Sequence, residues 1–134
     1  MKEFLLLDIV TPEGMVFSGE VKSVQLPGIT GEMGVLPGHA SLLTGLKDKS
    51  EGGVVEIVDK DGKKQLVLVN DGFLEVDEEK TTILATQAVA IGGDSENAVA
   101  KSLQRAKDML ASISSDAANS AAIMARVDEF ARQS

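Results

Sequence analysis

Two rhythms of apolar and polar residues divide the chain. In the first half, short runs rich in Val, Ile, Leu and Thr recur between turn signals, at residues 3–10, 21–26, 54–59, 65–70, 73–77 and 81–86. Such residues suit a pleated, half-buried surface, so each run predicts a strand. Asp61-Gly62 separates two of the runs, and a tight hairpin turn needs the positive φ that Gly supplies. Asn70-Asp71-Gly72 and the acidic stretch 77–80 predict two more turns. Leu66, Val67, Leu68 and Val69 are apolar without a break, which predicts a strand covered on both faces. Many short strands at this spacing predict a sandwich or barrel.

The second half changes period. Val99, Leu103, Ala106, Leu110 and Ile113 step by four, three, four and three, the spacing of a narrow helical seam. Ser120, Ile123, Val127 and Phe130 repeat that stepping. Asp94 or Ser95 can cap the first helix, and the Ser and Asp residues of 112–116 can cap the second. Taken alone, the seam predicts packing within a helical hairpin. All thirteen glycines lie at or before Gly93 and all three prolines lie within the first forty residues. The expected organisation is therefore a β domain over residues 1–88 and a helical hairpin over residues 89–134.

Composition narrows the function. The 134-residue chain is long enough to bury a real core, and 43% hydrophobic with 25% charged residues is ordinary for a globular protein. A net charge of −8 repels phosphate backbones and anionic lipid, so neither nucleic acid nor a bare membrane surface is an expected partner. The acidity sits in residues 1–88, with fifteen acids and eight bases against six and five afterwards. Only 3% of the residues are aromatic, which disfavours a base-stacking platform. No apolar run reaches the length of a membrane span, and the N-terminal apolar patch is too short for a signal peptide.

Catalytic chemistry finds little material. There is no cysteine, and His39 is the one histidine, which leaves no thiolate site and no two-histidine metal site. Gly28, Gly31 and Gly34 recur every third residue, but no Gly-Lys-Ser/Thr follows and no helix opens there, so turn glycines are the simpler explanation. No catalytic residue, metal site or cofactor is expected.

The stretch Leu-Pro-Gly-Ile-Thr-Gly-Glu-Met-Gly-Val-Leu-Pro-Gly-His-Ala-Ser-Leu-Leu-Thr, residues 26–44, is the informative one. It closely resembles the N-terminal domain of the epsilon subunits of bacterial F-type ATP synthases. In that family a Gly-Glu-x-Gly loop precedes Pro-Gly-His-Ala-Pro-Leu-Leu-Thr; here Ser41 replaces the second proline. The opening Leu-Asp-Ile-Val-Thr-Pro-Glu-Gly-Met-Val-Phe-Ser-Gly and the later Asn-Asp-Gly-Phe-Leu-Glu-Val match it too, in order.

The resemblance implies a ten-stranded β-sandwich followed by an antiparallel two-helix hairpin. It implies a non-catalytic rotor subunit that helps couple proton flow through the c-ring to ATP synthesis. Glu32 corresponds to a position facing the c-ring, and Thr11, His39, Ala40 and Thr44 to positions against the gamma subunit. The hairpin would reach the alpha/beta catalytic head and inhibit ATP hydrolysis. Membrane association would come only through the complex, on the cytoplasmic face of the bacterial inner membrane. Some relatives bind ATP through Ile/Leu-Asp-x-x-Arg-Ala at the start of the first helix, but neither register of residues 94–106 restores that motif, so no nucleotide site is expected. The alternative from the residues alone is a β-sandwich ligand-binding module with a helical oligomerisation hairpin.

Overall fold

The computed structural model describes residues 4–28, 31–35, 42–45, 53–77, 80–92, 95–113 and 117–133. Seven strands precede two helices: β1 (Leu5–Thr11), β2 (Gly14–Gly28), β3 (Gly31–Val35), β4 (Leu42–Gly45), β5 (Gly53–Asp59), β6 (Lys64–Val76) and β7 (Lys80–Ile91), then α1 (Glu96–Ile113) and α2 (Ala117–Gln133). The hydrogen-bonded order is β1-β7-β6-β5-β2-β3, β4 pairs with β6, and β1 also pairs with β2. The path β1-β7-β6-β5-β2 thus returns to β1, so the sheet closes on itself and encloses a core. All pairings are antiparallel except β1 with β7. The expected ten strands are not reproduced: among the described residues there are seven, because β2, β6 and β7 run unbroken for 15, 13 and 12 residues.

Two sequence expectations are corrected here. Residues 70–72 are no turn. β6 stays paired with β7 on both sides of them, Asn70 opposite Gln87 and Gly72 opposite Ala85. Gly72 has φ +151, and a Cβ there would run into the backbone carbonyl of Leu84, so only glycine lets the two strands pass this closely. Secondly, the α1 seam does not pack only within the hairpin. Ala106, Met109 and Leu110 join Leu66, Leu68 and Ile91 of the sheet, with Val127 of α2, in one cluster.

The same alternate positions of β6 and β7 serve two different cores. Leu66, Leu68 and Ile91 face the helices, whereas Leu74, Val76 and Ile83, of the same parity, lie in the enclosed core. The change of side falls at residues 70–72, where the pair twists past Gly72. This explains why Leu66 to Val69 are all buried, as their unbroken apolar run predicts. The Asp61-Gly62 hairpin also forms. Gly62 has φ +84, and the Asp59 carboxylate accepts the Asp61 and Lys63 N–H groups, each at 2.9 Å. Ser95 caps α1, its Oγ accepting the Ala98 N–H at 3.1 Å.

Candidate functional site

The described residues offer no catalytic constellation, and among them no group of three His, Asp or Glu side chains stands close enough to hold a metal. The feature that stands out is an exposed apolar row. Met15 pairs with Val10, Val10 with Leu84, Leu84 with Phe73, and Phe73 with the backbone of Gly45. Directly paired residues share a face, so the side chains of β2, β1, β7 and β6 form one line across the outside of the sheet. Met15 is 59% exposed, Leu84 49% and Phe73 59%. Isolated apolar residues on a surface are unremarkable, but a contiguous row on four strands marks a surface to be covered.

A polar row borders it. Ser18, Asp8, Thr82 and Glu75 pair in the same cross-strand sense, two residues along β1, β7 and β6 and three along β2, where the ladder has a bulge. Lys80 donates to Asp8 at 2.7 Å and the Ser18 hydroxyl at 2.8 Å, and together they hold the Asp8 carboxyl below its usual range. Asp8 and Lys80 neutralise each other, which leaves Glu75 as the acidic member of the border beside the apolar line. An apolar centre with a hydrogen-bonded polar margin is the anatomy of a protein interface.

Two of the five site positions expected from sequence adjoin members of this row along the chain. Thr11 follows Val10 and Thr44 precedes Gly45; successive strand residues alternate faces, so these positions adjoin the row along the chain rather than belonging to it. The Thr11 hydroxyl donates to the Gly14 carbonyl at 3.2 Å and accepts the Glu13 N–H at 3.2 Å, which closes the tip between β1 and β2. Thr44 pairs with Leu74 through the backbone. Glu32 is elsewhere: it lies on β3 opposite Pro27, at the end of β2 far from Met15. Twelve residues of strand separate those two points of β2, up to roughly 40 Å of extended chain. His39 and Ala40 lie outside the described residues. The row itself was missed from sequence, since exposure of Leu84 and Phe73 follows from the side-swap at Gly72, which alternation does not reveal.

A third feature ties the helices to the sheet. Glu56 of β5 accepts from Arg126 of α2 at 3.0 Å and from Lys64 of β6 at 3.2 Å. Partial burial pushes the Glu56 pKa up, and the two cationic donors more than offset this, leaving it below the usual range. Ser102 adds a second tie, its hydroxyl donating to the Val99 carbonyl at 2.7 Å and accepting the Gly92 N–H at 3.0 Å. No helix among the described residues is long and apolar enough to cross a membrane.

Comparison with known proteins bears on this arrangement. The family model described as "ATP synthase, Delta/Epsilon chain, beta-sandwich domain" matches residues 5–91, the span from β1 to β7. The ATP synthase epsilon chain of Campylobacter hominis is 48% identical over 130 residues, covering 96% of this chain and 97% of the relative. That of Wolinella succinogenes is 44% identical over 134 residues, covering 100% and 99%. Among solved structures, a chain of the Euglena gracilis mitochondrial ATP synthase (OSCP/F1/c-ring) has the same fold. It aligns with a TM-score of 0.61 at 23% identity, over 81% of this chain and 66% of that one. A chain of the Tetrahymena thermophila mitochondrial ATP synthase central stalk and c-ring aligns with a TM-score of 0.52 at 12% identity, over 83% and 96%.

Proposed function

The chain belongs to the ATP synthase epsilon-chain family, and on that premise we propose that it is a rotor-stalk subunit whose sheet grips the gamma subunit through the row Met15–Val10–Leu84–Phe73. The observation that carries this is the exposure of that row, whose members adjoin along the chain Thr11 and Thr44, two of the positions expected to lie against gamma. Covering large apolar side chains is worth about 1.5–3 kcal/mol each before the costs of association, enough for a few of them to anchor a complex.

Glu32, on a strand at the other end of β2, serves the c-ring. Two partners on two separate surfaces suit a part that joins a shaft to a ring. Rotation of these parts together couples proton translocation to ATP synthesis, and this subunit contributes torque-bearing contacts rather than a reaction. The chain sits peripherally at the cytoplasmic face of the bacterial inner membrane, held there by the complex. The hairpin of α1 and α2 acts as a regulatory element that leaves its docked place and engages the alpha/beta catalytic head to inhibit ATP hydrolysis. Thin packing supports this: among the described residues, α2 contributes only Val127 to the buried part of the helix–sheet cluster.

Co-purification with gamma tests the central point. The double variant Phe73→Asp with Leu84→Asp places two charges on the exposed row and leaves the enclosed core untouched. It folds, and it loses gamma by at least about tenfold in affinity, since desolvating unpaired charge at an interface is costly. Undiminished binding of a folded double variant refutes the row as the gamma surface.

A further inference from the structure

Beyond Leu84, no described strand pairs with the edge of β7 that β1 occupies up to that point. β1 pairs with β7 from Lys80 to Leu84 and then turns back at Thr11, while β6 stays paired with β7 on the other side as far as Ile91. Among the described residues no strand occupies the line that β1 leaves. A groove runs there, in two adjoining parts of about 510 and 370 Å³. One wall is the tip between β1 and β2, with Thr11, Glu13, Met15 and Val16; the other is α1, with Arg105 and Asp108.

Sheet edges that stay bare in soluble proteins are protected by charge, proline, bulges or a covering element. Residues 86–90 are Thr-Gln-Ala-Val-Ala, with no charge and no proline. Thr86, Gln87 and Ala90 are exposed, and β7 keeps its register with β6 through this stretch without a shift. In an antiparallel ladder alternate residues turn their N–H and C=O groups away from the partner strand, so this edge presents to the groove a row of backbone donors and acceptors with no strand partner among the described residues.

We propose that the groove receives an extended segment of the partner that covers the apolar row, and that this segment adds to β7 as a further strand. This rests on the gamma assignment above. Continuity identifies the occupant: Met15 belongs both to the row and to the groove wall, and Leu84 is both the row's β7 member and the last residue paired to β1. A subunit lying on the row therefore reaches the open edge without a gap. Main-chain pairing supplies the affinity and the flanking walls supply the selectivity, as in other cases of strand addition. Glu13 and Asp108 outnumber Arg105 in the walls, so the segment carries a basic side chain among apolar ones.

Amide hydrogen exchange on the full chain, free and saturated with gamma, tests this. In the free chain alternate amides within residues 86–90 exchange fast and the intervening ones, bonded to β6, exchange slowly. In the complex the fast ones slow by at least about tenfold. Paired substitutions Gln87→Pro and Ala88→Pro sharpen the result, because only one of two neighbours directs its N–H outward and an outward edge position tolerates proline. That variant keeps its melting temperature and weakens gamma binding about tenfold, while its neighbour melts earlier. Gamma binding with the 86–90 amides still unprotected overturns strand addition and leaves the gamma assignment standing. Failure of gamma to bind overturns both. Protection that appears when the chain alone is concentrated assigns the edge to a second copy and also overturns the proposal.

Discussion

The enclosed core and the helix–sheet core differ in what they are made of. Inside the closed sheet, thirteen buried residues meet among those described, all Leu, Ile or Val except Ala85, and Leu7, Ile9, Val21, Val24, Val55, Ile57, Leu74 and Ile83 have no exposure at all. Between helices and sheet, eight of the described residues are buried together, and among these the helices supply Ala106, Met109, Leu110 and Val127. Leu103, Ile123, Met124 and Phe130 lie against that cluster but remain partly exposed. Each buried methylene is worth about 0.8 kcal/mol, so the second core is held far more lightly for its length of chain. A fold built this way has one part that must persist and one that can open at lower cost, which is the unequal stability expected of elements that move.

Gly72 is where the difference between the cores should break most severely, because the same two strands feed both. Gly72→Val forces a β-branched residue to φ +151 and into the Leu84 carbonyl. A loss of at least about 3 kcal/mol is expected by chemical denaturation, with both cores lost together. Next in size, Leu7→Ala removes a fully buried side chain from the enclosed core and should cost about 3 kcal/mol of global stability. Leu110→Ala, at the helix–sheet core, should cost about 2 kcal/mol of hairpin docking and leave the sheet's own unfolding transition unchanged. Equal loss of sheet stability in the two alanine variants would show that the cores are one cooperative unit.

The smallest expected effect lies at Glu56. Its pair with Arg126 is partly exposed, so Arg126→Ala should weaken docking by only about 0.5 kcal/mol, and salt should weaken it similarly. The Glu56 pKa is lowered in the docked state, so its contribution is complete above the ordinary glutamate range and is lost as pH falls through the docked value. Protease sensitivity of residues 96–133 should therefore be flat from pH 7 to pH 5 and rise below about pH 4. In Glu56→Gln the part of that rise due to this carboxylate should vanish.

How far these regions were legible in the sequence differs for physical reasons. Strand and helix existence was legible, since β-branched runs and a four-three seam reflect burial on one face. The seam residues Ile123, Val127 and Phe130 do lie in the helix–sheet cluster, and Ser95 does cap α1. Connections were less so. Asn-Asp-Gly reads as a turn wherever it occurs, yet at residues 70–72 the pairing of β6 with β7 overrides that local preference. The start of β2 was hidden by Gly14, Ser18 and Gly19, which look like loop residues but are held by β1 across the ladder. β3 and β4 were hidden in the glycine- and proline-rich stretch that carried the family motifs. Of the site, Thr11 and Thr44 came from resemblance, and only the register showed that their chain neighbours Val10 and Gly45 lie on one line with the exposed side chains. Glu56 with Arg126 is 70 residues apart in sequence, and no local pattern announces it.

The most direct test of the division of labour is the gamma affinity of residues 1–92 against that of the full chain. If the enclosed core carries the fold and the exposed row carries the contact, the fragment folds and binds gamma within about tenfold of the full chain, a difference of 1.4 kcal/mol or less. A folded fragment that does not bind, while residues 93–134 alone do, would contradict it.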